Sequence, residues 1–183
     1  ANTFISDGGL RTFATYLGAA ALLEAKHLDA AMPQDVDYVF IEGYLVQNHE
    51  LIERAVELSH QRGAKVCLDL ASWNIVESEH AFFERLLPNI DIVFANEDEA
   101  HAMTGRIGEE AARLLAQTCQ IAIVKCGPRG AVAVEGDQCV SAPATPVAQV
   151  LDTTGAGDFF AGGFLHRHAL GGSLKDCLCE GAA

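Results

Sequence analysis

Four short runs decide what this chain can fold into. "DYVFIEGYL" (37–45), "AKVCLDL" (64–70), "IDIVFAN" (90–96) and "IAIVKCG" (121–127) are apolar on both of the faces a strand would present. Stretches with helical spacing lie between them. In "NHELIERAVELSHQRG" (48–63), Leu51, Ile52, Ala55, Val56 and Leu58 fall on one helical face, with Asn48 as N-cap and Gly63 as C-terminal stop. Helices are also predicted over 78–88, 97–104, 107–119, 155–170 and 173–182, and 130–142 reads as a hairpin turning at Gly136-Asp137. Strands apolar on both faces need cover on both sides. The pattern therefore predicts an α/β fold, a three-layer α/β/α sandwich around a mainly parallel sheet. No linker or internal repeat interrupts it, so 1–183 reads as a single α/β domain, and 50% hydrophobic residues suffice for a two-sided core.

Composition removes several function classes. The formal net charge of −13 argues against nucleic-acid binding, which needs Lys and Arg to neutralise phosphates. One small anion stays within reach, because backbone amides and a metal supply local positive charge. No apolar run is long enough to span a membrane, and the first twenty residues lack a basic start followed by an apolar block. The six cysteines form no Cys-x-x-Cys pair and are expected to be reduced thiols of a cytoplasmic protein.

Ligands of parallel sheets bind beyond the carboxyl ends of the strands. Those ends carry Gly43-Tyr44, Asp69, Asn96 with Glu99, and Lys125 with Gly127 and Gly130. Loops there are polar in any case, so position alone does not make a site. The stretch "LDTTGAGDFFAGGFLHRHALGG" (151–172) says more. Thr153 or Thr154 can cap a helix whose first turn is Gly155, Ala156 and Gly157. First-turn amides have no internal partner and carry the positive end of the helix dipole, and small residues leave them bare for a phosphate. Asp158, one turn in, can take the proton of an attacking hydroxyl, which is phosphoryl transfer to an alcohol. Taken alone, Asp158 reads as an ordinary first-turn carboxylate; the three small residues before it favour the phosphate site. Gly162 and Gly163 weaken the helix by roughly 1 kcal/mol each, and close approach to a neighbour would account for them. Neither a Walker A loop, nor a Gly-x-Gly-x-x-Gly after an early strand, nor Gly-x-Ser-x-Gly is present.

"DTTGAGD" and the glycine-rich helix behind it resemble the second signature of the ribokinase-like carbohydrate kinases (the pfkB family), which includes adenosine kinase. "NEDE" (96–99) resembles the family's Asn-x-x-Glu motif, and "KCGPRG" (125–130) its nucleotide-contacting Gly-x-x-Gly segment. "SDGGLRTFATYLGA" (6–19) and "EGYL" (42–45) look most like adenosine-kinase-type members, although Gly9-Leu10 stands where many relatives have Glu. The resemblance implies an ATP-dependent, magnesium-requiring phosphotransferase acting on a primary hydroxyl of a sugar or nucleoside. Asp158 would be the base, and the amides of Gly155, Ala156 and Gly157 the anion hole. Asn96 and Glu99 would organise magnesium through water, and Lys125, Gly127 and Gly130 would lie along ATP. Asp152 and the Thr154 carbonyl fall where some members hold a monovalent cation such as K⁺. Asp69 takes a supporting role, since "DLASWN" puts its Asn at Asn74, further on than in many members. "NEDEA" alone is equally an N-cap with acidic first-turn residues, and "GPRG" alone a turn.

Members usually run longer, so the chain reads as a piece of the fold truncated at both ends, with residues 1–20 as lid or lid-proximal and activity of the piece by itself in doubt. Some members dimerise through the lid, which leaves a homodimer open. Two other readings compete: a truncated or degenerate relative that binds nucleotide without turnover, and an acidic α/β interaction protein with no site.

Overall fold

In the computed structural model, which describes residues 2–5, 11–14, 16, 18–148, 150 and 152–183, the chain opens with a small antiparallel pair. It comprises β1 (Asn2–Ile5) and β2 (Arg11–Ala14), with Asn2 opposite Ala14. The Gly9-Leu10 departure lies outside the described residues, as do Leu17 of the lid reading and Leu151 before the glycine-rich helix. Helix α1 (Ala25–Ala31) leads into the main sheet.

That sheet has six strands in sequence order: β3 (Tyr38–Glu42), β4 (Lys65–Asp69), β5 (Ile92–Asn96), β6 (Ile121–Lys125), β7 (Ala131–Glu135) and β8 (Gln138–Ala142). The first four are parallel, and β7 and β8 close the sheet as an antiparallel hairpin turning at Gly136-Asp137. The crossovers carry α2 (His49–Gln61), α3 (Trp73–Ser78), α4 (His80–Leu86), α5 (Glu97–Thr104) and α6 (Gly108–Leu115). Helices α7 (Ala156–Ala169) and α8 (Leu174–Gly181) follow the hairpin.

Strand alternation supplies both faces. Val66, Leu68, Val93 and Val124 pack with Ile52, Val56, Phe83, Leu86 and Leu115 of the crossover helices. Cys67, Ile92, Phe94, Ile121 and Ile123 point the other way, onto Phe160, Phe164, Cys177 and Leu178 of the last two helices. Burying side chains of this size contributes roughly 1.5–3 kcal/mol each. The result is the three-layer α/β/α sandwich expected from the sequence. Among the described residues, no helix is long and apolar enough to cross a membrane. All six cysteines are unpaired, and burial pushes the Cys67 and Cys119 thiols up to about 12, which leaves them protonated near neutral pH.

Several boundaries differ from expectation. The first strand stops at Glu42 rather than Leu45, because its partner β4 ends opposite it at Asp69, and Gly43–Leu45 turns as a 3₁₀ helix. The predicted helix over 78–88 is two helices that break at Glu79 and begin earlier, at Trp73. The cap of α2 is as read: the Asn48 side chain accepts the Leu51 amide at 3.2 Å.

The glycine pair in α7 divides. A Cβ on Gly163 would lie 2.7 Å from the Glu180 carbonyl oxygen and 3.1 Å from Cα of Gly181, so this glycine lets α7 and α8 approach backbone to backbone. A Cβ on Gly162 would meet nothing within 4 Å, and close packing does not account for it. Gly163→Ala is therefore expected to lower stability by about 1–3 kcal/mol through overpacking. Gly162→Ala should raise it by about 0.5–1 kcal/mol through backbone entropy. Denaturant midpoints of the two variants check the opposite signs; equal shifts would contradict the assignment.

Candidate functional site

Parallel register brings the strand ends together. Glu42 lies opposite Asp69, and Asn96 opposite Lys125. Lys125 reaches past β5, and its Nζ sits 2.8 Å from Asp69 Oδ2. The two side chains are only 17% and 12% exposed, so water screens this pair far less than a surface one. The other Asp69 oxygen, Oδ1, accepts the Ala71 amide at 2.8 Å, across a loop in which Ala71 has φ +66°. Asp69 is thus fixed at both oxygens.

Asn96 ends β5 and caps α5. Its side-chain oxygen accepts the Glu99 amide at 2.9 Å, while Glu99 Oε2 accepts the Asn96 amide at 2.7 Å and Oε1 the Asn96 side-chain amide at 2.5 Å. The N-cap alternative for "NEDEA" is therefore realised as a reciprocal capping box. Glu99 is 2% exposed, and burial, with the Asp69 charge second, pushes its carboxyl up to about 7. Glu42 is also raised, first by burial and then by the Asp69 and Asp158 charges, with Lys125 opposing.

The "GPRG" stretch forms a 3₁₀ turn, Gly127–Arg129, and so realises its turn reading. Gly130 has a structural reason of its own: φ is +91°, and a Cβ there would lie 1.9 Å from the Ala142 carbonyl oxygen. The Arg129 guanidinium binds both carboxylate oxygens of Glu97, at 2.5 and 2.6 Å, and ties this turn to α5.

At the start of α7 the cap differs from expectation. Gly155 holds the N-cap position with φ +75° and no side-chain cap, in place of Thr153 or Thr154. Thr154 instead donates both its amide and its hydroxyl to Asp152 Oδ1, at 2.8 and 2.7 Å. The Ala156 amide donates to the Thr153 carbonyl at 3.1 Å, so it is engaged within the chain. The Gly157 and Asp158 amides donate to no acceptor among the described residues. Asp158 lies in the exposed first turn. Gly157 faces Lys125: a Cβ would stand 3.2 Å from its Nζ.

These elements enclose a cavity of about 350 Å³, large enough for a small ligand. Its walls include Asn96, Lys125, Gly127, Gly130, Ala156 and Gly157, with Ala144, Thr153, Phe160 and Ala182 beside them. Of the residues singled out from sequence, Gly43, Tyr44, Asp69, Glu99, Asp152, Thr154, Gly155 and Asp158 do not line it. Sequence reasoning missed Glu42, although the strand-end rule that selected Gly43-Tyr44 stopped one residue beyond it. It also missed the Arg129–Glu97 tie and the Lys125–Asp69 pair, which join residues far apart in the chain and leave no local signal.

A family profile described as pfkB family carbohydrate kinase matches residues 2–183. An adenosine kinase of Schizophyllum commune is 31% identical over 97% of this chain and 58% of its own length. A 2-dehydro-3-deoxygluconokinase of Haemophilus influenzae is 30% identical over 94% of this chain and 61% of its own. The solved structure of adenosine kinase from Sinorhizobium meliloti superposes with a TM-score of 0.91 at 33% identity, over 98% of this chain and 57% of that one. The chain thus spans about three-fifths of the relatives' length.

The buried acid at Glu99 has a consequence for stability. A carboxyl whose folded-state pKa of about 7 lies above its ordinary 4.5 favours the fold while protonated. That contribution is whole below its ordinary value and is lost as pH rises through about 7. Without divalent metal, Glu99→Gln should therefore gain thermal stability relative to the parent between about pH 5 and about pH 8. A difference in Tm that stays constant over that range would contradict the burial effect.

Proposed function

The chain belongs to the pfkB family of carbohydrate kinases, and from that premise we propose that it is the catalytic portion of an ATP-dependent, magnesium-requiring kinase. Its acceptor would be a primary hydroxyl of a sugar or a nucleoside; the relatives above are named for one of each class. What supports the proposal above all is convergence. Three separate stretches, at 96–99, 125–130 and 153–157, bring amides, glycines and one ammonium to a single cavity next to an exposed helix-start carboxylate.

The chemistry needs little covalent participation from the protein. The acceptor oxygen forms a bond to the γ-phosphorus as the bond to the β,γ-bridging oxygen breaks. The hydroxyl proton passes to the Asp158 carboxylate, and ADP leaves. The Gly157 and Asp158 amides, which find no acceptor among the described residues, sit at the positive end of α7 and would face charge on the transferring group. The anion hole expected from Gly155 to Gly157 narrows at Ala156, whose amide is engaged with Thr153. Gly127 and Gly130 line the cavity wall along which the nucleotide would extend.

The donor set fits a hydrated magnesium carried by the nucleotide. Among the described residues no three His, Cys, Asp or Glu side chains cluster to hold a metal directly. Both Glu99 oxygens already accept bonds from Asn96, so this pair would act through water, as magnesium sites commonly do. When bound, the ion would neutralise phosphate charge. Asp152, which shapes the turn through Thr154, and the Thr154 carbonyl are the candidates for a monovalent cation such as K⁺. With all six cysteines unpaired, a reducing cytoplasmic setting suits the chain.

Asp158→Asn in the full-length protein is expected to keep ATP binding and lose turnover by roughly 10²–10⁴-fold. A panel of sugars and nucleosides, assayed for ADP release, checks this. Turnover within a few-fold of the parent would remove Asp158 as the base.

A further inference from the structure

The cavity described above has one charged wall. Lys125 and Gly157 both line it, and the Lys125 ammonium stands against the first turn of α7, 3.2 Å from where a Gly157 Cβ would be. Among the described residues, Lys125 is the cation whose charge acts on both Glu42 and Glu99. A lysine side chain is flexible and would ordinarily spread over many rotamers. This one is held. Asp69 Oδ2 fixes Nζ at 2.8 Å, and Asp69 Oδ1 is tied to the Ala71 amide at the same distance. The carboxylate that holds the ammonium is therefore itself oriented by backbone.

We propose that Lys125 contacts the phosphoryl group being transferred, and that Asp69 is the positioning residue that aims it there. The inference rests on the kinase reading and adds a specific cation to it. Gly127, Gly130 and Gly157 all line the cavity; in the kinase reading the nucleotide runs along Gly127 and Gly130, while Gly157 adjoins the carboxylate proposed as base. A phosphate between the Gly157 amide and the acceptor hydroxyl is the terminal one. An ammonium beside Gly157 meets that phosphate rather than those nearer the nucleoside. As the terminal phosphoryl group loosens from the bridging oxygen, the ammonium offsets negative charge on its outer oxygens, without itself giving up a proton. Asp69 keeps it there without withdrawing it, because one carboxylate oxygen leaves two of the three ammonium hydrogens for the ligand.

A ligand comparison separates this role from a structural one. Calorimetry with ATP and with ADP, each with magnesium, measures the preference for the terminal phosphate. Lys125→Met should lose roughly 10- to 100-fold in ATP affinity and change ADP affinity little. Asp69→Asn, which retains an acceptor for the Ala71 amide, should lose part of the same preference. In the Lys125→Met background it should lose nothing more, because Asp69 acts through the ammonium. Equal losses for ATP and ADP, or additive losses in the double variant, would overturn the inference while leaving the kinase reading intact. A parent chain that binds neither nucleotide would overturn the kinase reading itself, and this inference with it. Thermal unfolding of each variant identifies any that fail to fold, and Lys125→Gln then replaces Lys125→Met.

Discussion

Parallel pairing of four consecutive strands is the constraint on which the rest depends. Because β3 to β6 all run one way, their carboxyl ends finish along one edge, with Glu42 beside Asp69 and Asn96 beside Lys125. An antiparallel arrangement of the same residues would send half of them to the opposite edge. The antiparallel hairpin β7–β8 then brings the chain back along the sheet, and α7 starts with its first-turn amides over that edge. Position precedes chemistry here: the site is a consequence of strand direction.

Charge is the second theme. The chain is strongly acidic, and Glu42 and Asp69 at the strand ends, with Glu99 of α5 and Asp158 of α7, gather that character around the site. Two of these, Glu42 and Glu99, are raised by burial and by carboxylate neighbours. Lys125 and the amides of α7 are the opposing charges, and they lie where an anion would complete the arrangement. An acidic surface does not preclude the anion proposed for this cavity, because the positive potential there is local, from one ammonium and backbone amides.

Much of this was legible in the sequence. Two-sided apolar runs alternating with helices pointed to the sandwich, since strands of that kind need cover on both faces. Asn96, Lys125, Gly127, Gly130, Ala156 and Gly157, read from three separate motifs, line one cavity. What failed to show was of two kinds. Local competition decided some details: Gly155 took the cap expected of Thr153 or Thr154, and Thr154 turned to Asp152 instead. Long-range pairing decided others. Lys125 with Asp69, and Arg129 with Glu97, meet only because strands and loops distant in the chain become neighbours. The glycine pair shows both effects at once, because Gly163 is required by α8 and Gly162 by nothing in the described chain.

The proposed kinase chemistry requires a nucleoside triphosphate in this cavity with its terminal phosphate against α7. A crystal structure with magnesium and a non-hydrolysable ATP analogue tests that most directly. The terminal phosphate is expected on the Gly157 and Asp158 amides, with Lys125 Nζ within hydrogen-bond reach and the nucleoside toward Gly127. An analogue bound away from the carboxyl ends of the strands, or one whose terminal phosphate points away from α7, would contradict it.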